Sequence, residues 1–318
     1  MNYVVFDLEW NQCPYGKHRE NKRLPFEIIE IGAIKLNSER EIVDTFHRVV
    51  RPTLYTTLHY RTREIVHLTK EDLANGLVFP EAVREFLAWA GPASRFCTWG
   101  TVDLVELQRN MKYYGLLHLL KGPIHFFDVQ KLFAITYEDM KSRRALEYGI
   151  DYLGLVKDQD FHRALSDAWY TALIFQTIDM AIVLAYDSID AYQPPKSKTS
   201  EIHAVYNGYY KFISRLFPDK ENAMADKEVL MSPCPLCGRS THKKMRWFSV
   251  NAKNYYCIGI CPKHGYVKGK IRMRHADEGG YFVVKTIKVS SEPEADMIME
   301  KREEMRAKRR RRAHRGRR

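Results

Sequence analysis

The run Tyr3-Val4-Val5-Phe6-Asp7-Leu8-Glu9-Trp10 is an apolar strand with two carboxylates set into it, two positions apart. Residues two apart on a strand project from one face with Cα atoms about 6–7 Å apart. Asp7 and Glu9 therefore reach toward one site, while Leu8 and Trp10 anchor the opposite face. Alone, such a pair fits a solvated edge strand equally well. Two later segments shift the balance. Trp99-Gly100-Thr101-Val102-Asp103 follows a short apolar strand and puts an acid where the chain turns into a helix starting near Leu104; a helix N-cap is the alternative role for that acid. His162-Arg163-Ala164-Leu165-Ser166-Asp167 puts another acid into the first turns of an otherwise apolar helix, where an unpaired carboxylate is costly to bury and calls for a cation. His162 precedes that helix, and an imidazole titrating near neutrality suits a general base that draws a proton from water. Asp7, Glu9, Asp103 and Asp167 are the donors needed to flank a metal pair about 3.5–4 Å apart, the arrangement that cuts phosphodiesters. Hard oxygen donors favour two Mg²⁺ or Mn²⁺ ions over zinc.

Around these motifs the pattern is α/β. Strand-length runs rich in Ile, Val and Phe occur at 3–10, 27–36 and 41–50, the last two separated by the turn signal Asn37-Ser38. Helical periodicity follows at 62–73, 79–90, 104–114 and 143–153, with short strands at 94–99 and 124–128, and a long amphipathic helix at 164–186 closes the domain. Three consecutive strands and then alternating helices and strands predict a mixed five-stranded sheet with flanking helices.

The motifs resemble those of the DEDDh 3′–5′ exonucleases of the ribonuclease H-like superfamily. Asp7/Glu9 match the family's Asp-x-Glu, Asp103 its middle Asp, and His162/Asp167 its His-x₄-Asp. The resemblance covers about residues 1 to 185. It extends to Pro25-Phe26-Glu27-Ile28-Ile29-Glu30-Ile31-Gly32-Ala33 and to His67-Leu68-Thr69. It is closest to the branch that trims RNA 3′ ends in small-RNA and ribosomal-RNA maturation and to the sporulation-inhibitor-like bacterial exonucleases; polymerase proofreading subunits are more distant. The resemblance implies that Asp7 bridges both metals, that Glu9 and Asp167 hold the metal nearest the nucleophilic water, that Asp103 supports the second metal partly through water, and that His162 is the base. The family often has Thr-Thr or Thr-Gly after its Glu, where this chain has Trp10-Asn11. That departure makes Trp10, Trp99 and Leu8 candidates for stacking on or wedging the terminal base, with a core role the alternative for Trp99.

Four of the six cysteines, Cys234, Cys237, Cys257 and Cys261, lie within 28 residues. In a cytosolic chain such clustering points to metal, not disulfides; Cys13 and Cys97 read as isolated, inert thiols. Cys234-Pro235-Leu236-Cys237-Gly238 and Cys261-Pro262-Lys263-His264-Gly265 are near copies of one tight turn, each followed by the glycine that a left-handed backbone favours. Two such turns about a β-hairpin form a tetrahedral zinc ribbon holding one structural Zn²⁺ on Cys234, Cys237, Cys261 and His264. Cys257, which gives Cys-x₃-Cys with Cys261, is the alternative fourth donor. Lys243, Lys244, Arg246, Lys268, Lys270 and Arg272, interleaved with Tyr255, Tyr256 and Tyr266, give the ribbon either a nucleic-acid grip or a solvated face.

The net charge of +12 is concentrated at the end of the chain: residues 301–318 hold eleven Lys/Arg and two Glu, leaving +3 for the first 300. This reads as an arm for phosphates or a solubilising tail. The first seven residues contain an acid and no basic region, unlike a secretory signal, and the apolar stretch near 172–185 includes Gln176 and Asp179, unlike a membrane span. The expected organisation is an exonuclease domain at 1–186, a linker and helical connector at 187–230 around Pro194-Pro195 and the aromatics Tyr206 to Phe217, a zinc ribbon at 231–290, and a charged helix with an Arg-rich tail at 291–318. Together these features predict a cytoplasmic, metal-dependent 3′–5′ exonuclease acting on single-stranded 3′ ends, RNA before DNA, with no membrane partner. A proofreading-like DNA exonuclease and a nucleic-acid-binding adaptor on an inactive exonuclease fold are the competing readings. All five catalytic positions are filled, which argues against the adaptor.

Overall fold

The computed structural model describes residues 1–139, 142–158, 162–206 and 208–315, and the chain divides into two compact units, Met1–Tyr192 and Gln193–Arg318. In the first unit the described residues form strands β1 (Tyr3–Gln12), β2 (Phe26–Leu36), β3 (Ile42–Arg51), β4 (Leu77–Val78), β5 (Arg95–Thr98), β6 (Ile124–Asp128) and β7 (Ser188–Asp190). They make one mixed sheet ordered β4-β3-β2-β1-β5-β6-β7. Helices are α1 (Tyr60–Ile65), α2 (Lys70–Asn75), α3 (Phe79–Ala90), α4 (Val102–Tyr113), α5 (Val129–Tyr137), α6 (Leu146–Tyr152), α7 (Ala164–Thr177) and α8 (Met180–Ala185).

β1 is an inner strand, antiparallel to β2 and parallel to β5. Val4, Phe6 and Leu8 pack with Phe79, Phe86 and Leu104 of α3 and α4, while Tyr3 and Val5 pack with Phe127, Tyr170 and Phe175 on the other face. Burial on both faces accounts for the almost unbroken apolar run of this strand. Asp7 and Glu9 continue the Tyr3/Val5 face, which is covered by α7.

Seven strands replace the five expected, because β4 and β7 add two- and three-residue edges. The helix expected at 62–73 is two helices, and α5 was not expected at all. The helix expected at 164–186 breaks at Ile178, where the Asp179 side chain accepts from the Ala181 N–H and starts α8.

The second unit forms β8 (Ile202–Tyr206), β9 (Tyr209–Ile213), α9 (Lys220–Ala225), α10 (Lys227–Leu230), β10 (His242–Asn251), β11 (Asn254–Cys261), β12 (Gly265–His275), β13 (Tyr281–Val289) and α11 (Glu292–Arg315). Its strands pair in the order β10-β11-β12-β13-β9-β8. The aromatic stretch expected to be helical is instead the β8–β9 hairpin, which pairs with β13 and extends the sheet well beyond a small ribbon. The charged C-terminal segment is helical through Arg315 and so differs from an unstructured tail. Among the described residues, no helix is long and apolar enough to cross a membrane.

Candidate active site

Asp7 and Glu9 emerge from β1, Asp103 from the first turn of α4, and Asp167 from the first turn of α7. Asp103 is not an N-cap, since Thr101 holds that position. It is buried, and its carboxylate accepts the backbone N–H of Leu8 as well as its own, which ties the start of α4 to the carboxylate strand. His162 is exposed, with φ at 61°, a left-handed conformation that few non-glycine residues adopt. Its backbone N–H bonds the Asp167 carboxylate. Donor atoms of Glu9, His162 and Asp167 all lie within 4.8 Å of one another.

The electrostatics show how crowded the acids are. Burial first, then the charges of Asp103, Asp167, Glu9 and Glu30, hold Asp7 well above the usual carboxylate range. Burial, followed by Asp167, Glu30 and Asp103, pushes Glu9 up to about 8, against the opposing pull of Arg163. Asp103 is pushed to about 7 by burial, with the two backbone N–H bonds opposing and Asp167 and Glu106 adding to the rise. Burial takes Asp167 to about 6, and its Oδ1 is buried with no hydrogen-bond partner. An orphaned carboxylate oxygen among mutually repelling acids is the donor set that a divalent cation satisfies, and every donor here except His162 is a hard oxygen.

Three residues that sequence reasoning left without a role hold this arrangement. Glu30 on β2 is fully buried and binds Arg163 and the N–H of Ala164, at the entry to α7. A Cβ on Gly32 would stand 2.1 Å from the Leu165 nitrogen, so only glycine lets β2 approach α7 this closely. A charged residue and a glycine inside the otherwise apolar run Ile28-Ile29-Glu30-Ile31-Gly32 were the available signal. Of the expected base-stacking residues, Leu8 is buried in the core. Trp99 packs on Phe133 and donates its indole N–H to the Arg144 carbonyl, so both are structural. Trp10 is half-buried against Phe26, following a bulge between Glu9 and Trp10.

In the second unit, Cys234, Cys237, Cys261 and His264 offer donor atoms within 4.8 Å of one another. The Cys234 and Cys261 sulfurs lie 3.3 and 3.7 Å from His264 Nδ1, and Cys237 Sγ lies 3.7 Å from Cys261 Sγ. Gly238 and Gly265, with φ of 68° and 72°, close the two turns. Burial alone would raise the Cys261 thiol, yet the Lys263 and His264 backbone N–H groups and the His264 ring bring it to about 6, which favours the thiolate that metals bind. Cys257 stands outside the cluster: it is buried beside Gly269 and Trp247, and burial pushes its thiol to about 12.

A family model described as an exonuclease matches residues 4–175. The probable 3′-5′ exonuclease KapD of Bacillus subtilis (strain 168) is 26% identical over 186 residues, covering 55% of this chain and 83% of that protein. Among solved structures, the nuclease domain of 3′hExo, a DEDDh family member bound to rAMP, is 20% identical with a TM-score of 0.48, over 55% of this chain and 90% of that one. E. coli exonuclease I in complex with a dA16 oligonucleotide is 15% identical with a TM-score of 0.46, over 57% and 42%. With its match spanning more than half of the sequence, the chain belongs to the exonuclease family and is a nuclease that hydrolyses phosphodiester bonds.

Proposed function

We propose that the protein removes nucleotides from RNA 3′ ends, in the 3′–5′ direction, with two Mg²⁺ or Mn²⁺ ions held by Asp7, Glu9, Asp103 and Asp167. The observation that carries this reading is the convergence of four carboxylates, all held above their ordinary range, with one exposed imidazole beside Glu9 and Asp167. The 3′–5′ direction is supported by the likeness to a probable 3′-5′ exonuclease, and the RNA preference by the closer overall resemblance of residues 1–185 to the RNA-trimming branch, since proofreading DNA exonucleases share the three motifs.

When bound, the metal pair stabilises charge on the attacking and leaving oxygens of an in-line displacement. The chain's own groups do the rest. Asp7 is within the influence of the Asp103, Asp167 and Glu9 charges and would share the metals with them; Asp103 is oriented by the Leu8 N–H and Asp167 by the His162 N–H. His162 takes the proton from the attacking water through an imidazole that faces solvent and can pass the proton on. Phosphodiester cleavage releases a 5′-nucleotide and leaves a chain one unit shorter with a free 3′-hydroxyl. Zn²⁺ on Cys234, Cys237, Cys261 and His264 is the structural ion of this reading, and it fixes the two turns that flank the β10–β11 hairpin. A cytoplasmic setting goes with it, since the six cysteines are used as metal ligands or packed thiols and not as disulfides.

The test is degradation of matched 5′-labelled RNA and DNA strands by the purified chain in Mn²⁺. Ladders shortening from the 3′ end, faster on RNA and abolished by Asp7→Ala and Asp103→Ala, are expected. Equal rates on the two strands would remove the RNA preference, and activity that survives Asp7→Ala would remove the assigned site.

A further inference from the structure

Strands β8 to β13 together contain ten Lys/Arg and no Asp or Glu. The two units differ sharply in charge. Residues 1–192 hold 22 Lys/Arg and 26 Asp/Glu, net −4, whereas residues 193–318 hold 29 and 13, net +16. Since residues 301–318 account for +9, a further +7 lies within 193–300. The basicity is thus a property of the folded sheet as well as of the chain's end.

Strand alternation sorts these charges onto one face. Ile271, Val283 and Ile287 point into the buried cores of the unit, and Lys285 on the same side gives its ammonium to the carbonyls of Glu228 and Met231. The opposite face carries Lys268, Lys270 and Arg272 of β12. Their cross-strand partners on β13 are Lys288, Thr286 and Val284, and Lys288 is in turn opposite Tyr209 of β9. Cross-strand partners share a face. α11 covers the β10–β11 side of this face through Ala295 on Met245 and Ile258, reaches Lys268 of β12 through Glu294, and brings the Lys301 Nζ to 5.7 Å from the Tyr256 ring at the edge of what remains open. Arg272 remains exposed, and Lys288 keeps access to solvent although its ammonium is half-buried.

Lys268 and Lys288 are directly opposite, a placement that like charges disfavour. Burial and then the Lys268 charge hold the Lys288 ammonium below its ordinary value, and Glu294 on α11, 3.5 Å from Lys268, offsets only part of this. Aromatic rings lie among the cations. The Lys288 Nζ is 5.3 Å from the Tyr209 ring and the Lys270 Nζ 5.7 Å from Tyr256, while Tyr209 stacks on Tyr206 with centroids 4.4 Å apart and planes at 14°. Repelling cations with no strand carboxylate call for a polyanion, and interleaved rings call for bases free to stack, which a single strand offers and a duplex does not.

We propose that this sheet face binds single-stranded RNA, with phosphates on Lys268, Lys270, Arg272 and Lys288 and bases against Tyr209 and Tyr256. The proposal rests on the RNA reading above for the identity of the strand. It assigns the RNA body a site made of residues remote in sequence from the carboxylates.

The experiment compares the full-length chain with the triple variant Lys270→Ala/Arg272→Ala/Lys288→Ala. RNA affinity is read by fluorescence anisotropy on a 20-nucleotide oligouridylate, with both proteins in an Asp7→Asn background to prevent degradation. The expected result is a Kd raised about tenfold, with the slope of log Kd against log salt reduced by about 2, as follows from losing three phosphate contacts on a single strand. The same triple variant with Asp7 intact is expected to hydrolyse a dinucleotide within twofold of the wild-type rate. Arg272→Gln, at an exposed strand position, is the control against misfolding and should move the slope by about 0.7 in the same direction. Unchanged Kd and slope would overturn the proposal, as would a loss confined to the matched DNA strand. If RNA is trimmed normally but the triple variant binds it as wild type does, the sheet face fails and the nuclease reading stands. If the wild-type chain trims no RNA but the triple variant loses RNA affinity, the RNA-trimming reading fails and the sheet face stands.

Discussion

The buried carboxylate of Glu30 holds Arg163 through two hydrogen bonds, 3.0 Å to Nε and 2.8 Å to Nη2, and in doing so fixes the entry to α7. The same group accepts the Ala164 N–H at 3.1 Å and contacts His47 Nε2 at 2.6 Å. Burial alone would raise this acid, but the bonds from His47, Arg163 and Ala164 outweigh it and leave Glu30 below its ordinary range. His162 and Asp167 flank the clamped segment, so Glu30 sets their positions without being within their reach as a donor. Glu30→Gln keeps the shape and one acceptor but loses the charge. It is expected to lower stability by about 1–3 kcal/mol and to lower kcat by about tenfold or more with little change in KM. Thermal melts and steady-state rates check this. A lowered Tm with an unchanged kcat would make Glu30 a purely structural residue.

Gly32 carries the same dependence in steric form. Its missing Cβ would lie 2.1 Å from the Leu165 nitrogen and 2.2 Å from the Ala164 carbonyl carbon, both backbone atoms that cannot rotate away. Gly32→Ala must therefore push the start of α7 off the sheet. Overpacking of this kind costs about 1–3 kcal/mol, and displacing Asp167 by about 1 Å is expected to cost about a hundredfold in rate. Wild-type activity with Gly32→Ala would mean that the helix entry tolerates the shift.

The four acids and His162 were legible because they fall in short motifs, two acids inside β1 and the other residues at the starts of α4 and α7, that can be read without any knowledge of packing. The two short edge strands were not: at two and three residues, β4 and β7 are too brief to show alternation. The β8–β9 hairpin was misread because Tyr206, Tyr209, Tyr210 and Phe212 fit helical spacing as well as strand spacing, and only pairing with β13 decides between them. Glu30 was hidden for a different reason, since its partner Arg163 is 133 residues away. The basic sheet face was visible in principle. Lys268, Lys270, Arg272 and Arg274 recur at every second residue and were read as a nucleic-acid grip or a solvated face, but the addition of Lys288 and Tyr209 to that face depends on pairing with β13 and β9.

The thiol cluster separates two candidates for its fourth donor. His264 Nδ1 lies within 3.7 Å of two cysteine sulfurs, while the Cys257 thiol is packed against Trp247 and Gly269. One zinc per chain is expected by elemental analysis. Cys257→Ser should keep it, although the fold loses some packing, whereas His264→Ala should lower the zinc content and the Tm of the second unit. His264→Cys should restore binding, and Co²⁺ substituted into that variant should show stronger thiolate charge-transfer absorption than in the wild type. Zinc lost from Cys257→Ser and kept by His264→Ala would reverse the assignment.

The crowded carboxylates make metal stabilisation depend on pH in a definite direction. Glu9 is held at about 8, Asp103 at about 7 and Asp167 at about 6 in the folded chain. Released by unfolding, each ionises near its ordinary value of about 4. Between about pH 4 and pH 8 the metal-free folded state therefore binds more protons than the unfolded state, and its stability falls as pH rises through that window. A divalent cation relieves the repulsion once the acids are ionised but must displace protons when they are not. The Tm increase on adding Mg²⁺ or Mn²⁺ is therefore expected to be small at pH 5 and larger at pH 8. Asp167→Asn, which removes one of the acids and leaves its oxygen as a neutral acceptor, should raise the metal-free Tm at pH 8 and reduce the increase that metal produces. Equal increases at both pH values would mean that the acids are already ionised at pH 5 and that their mutual repulsion is not what the cation relieves.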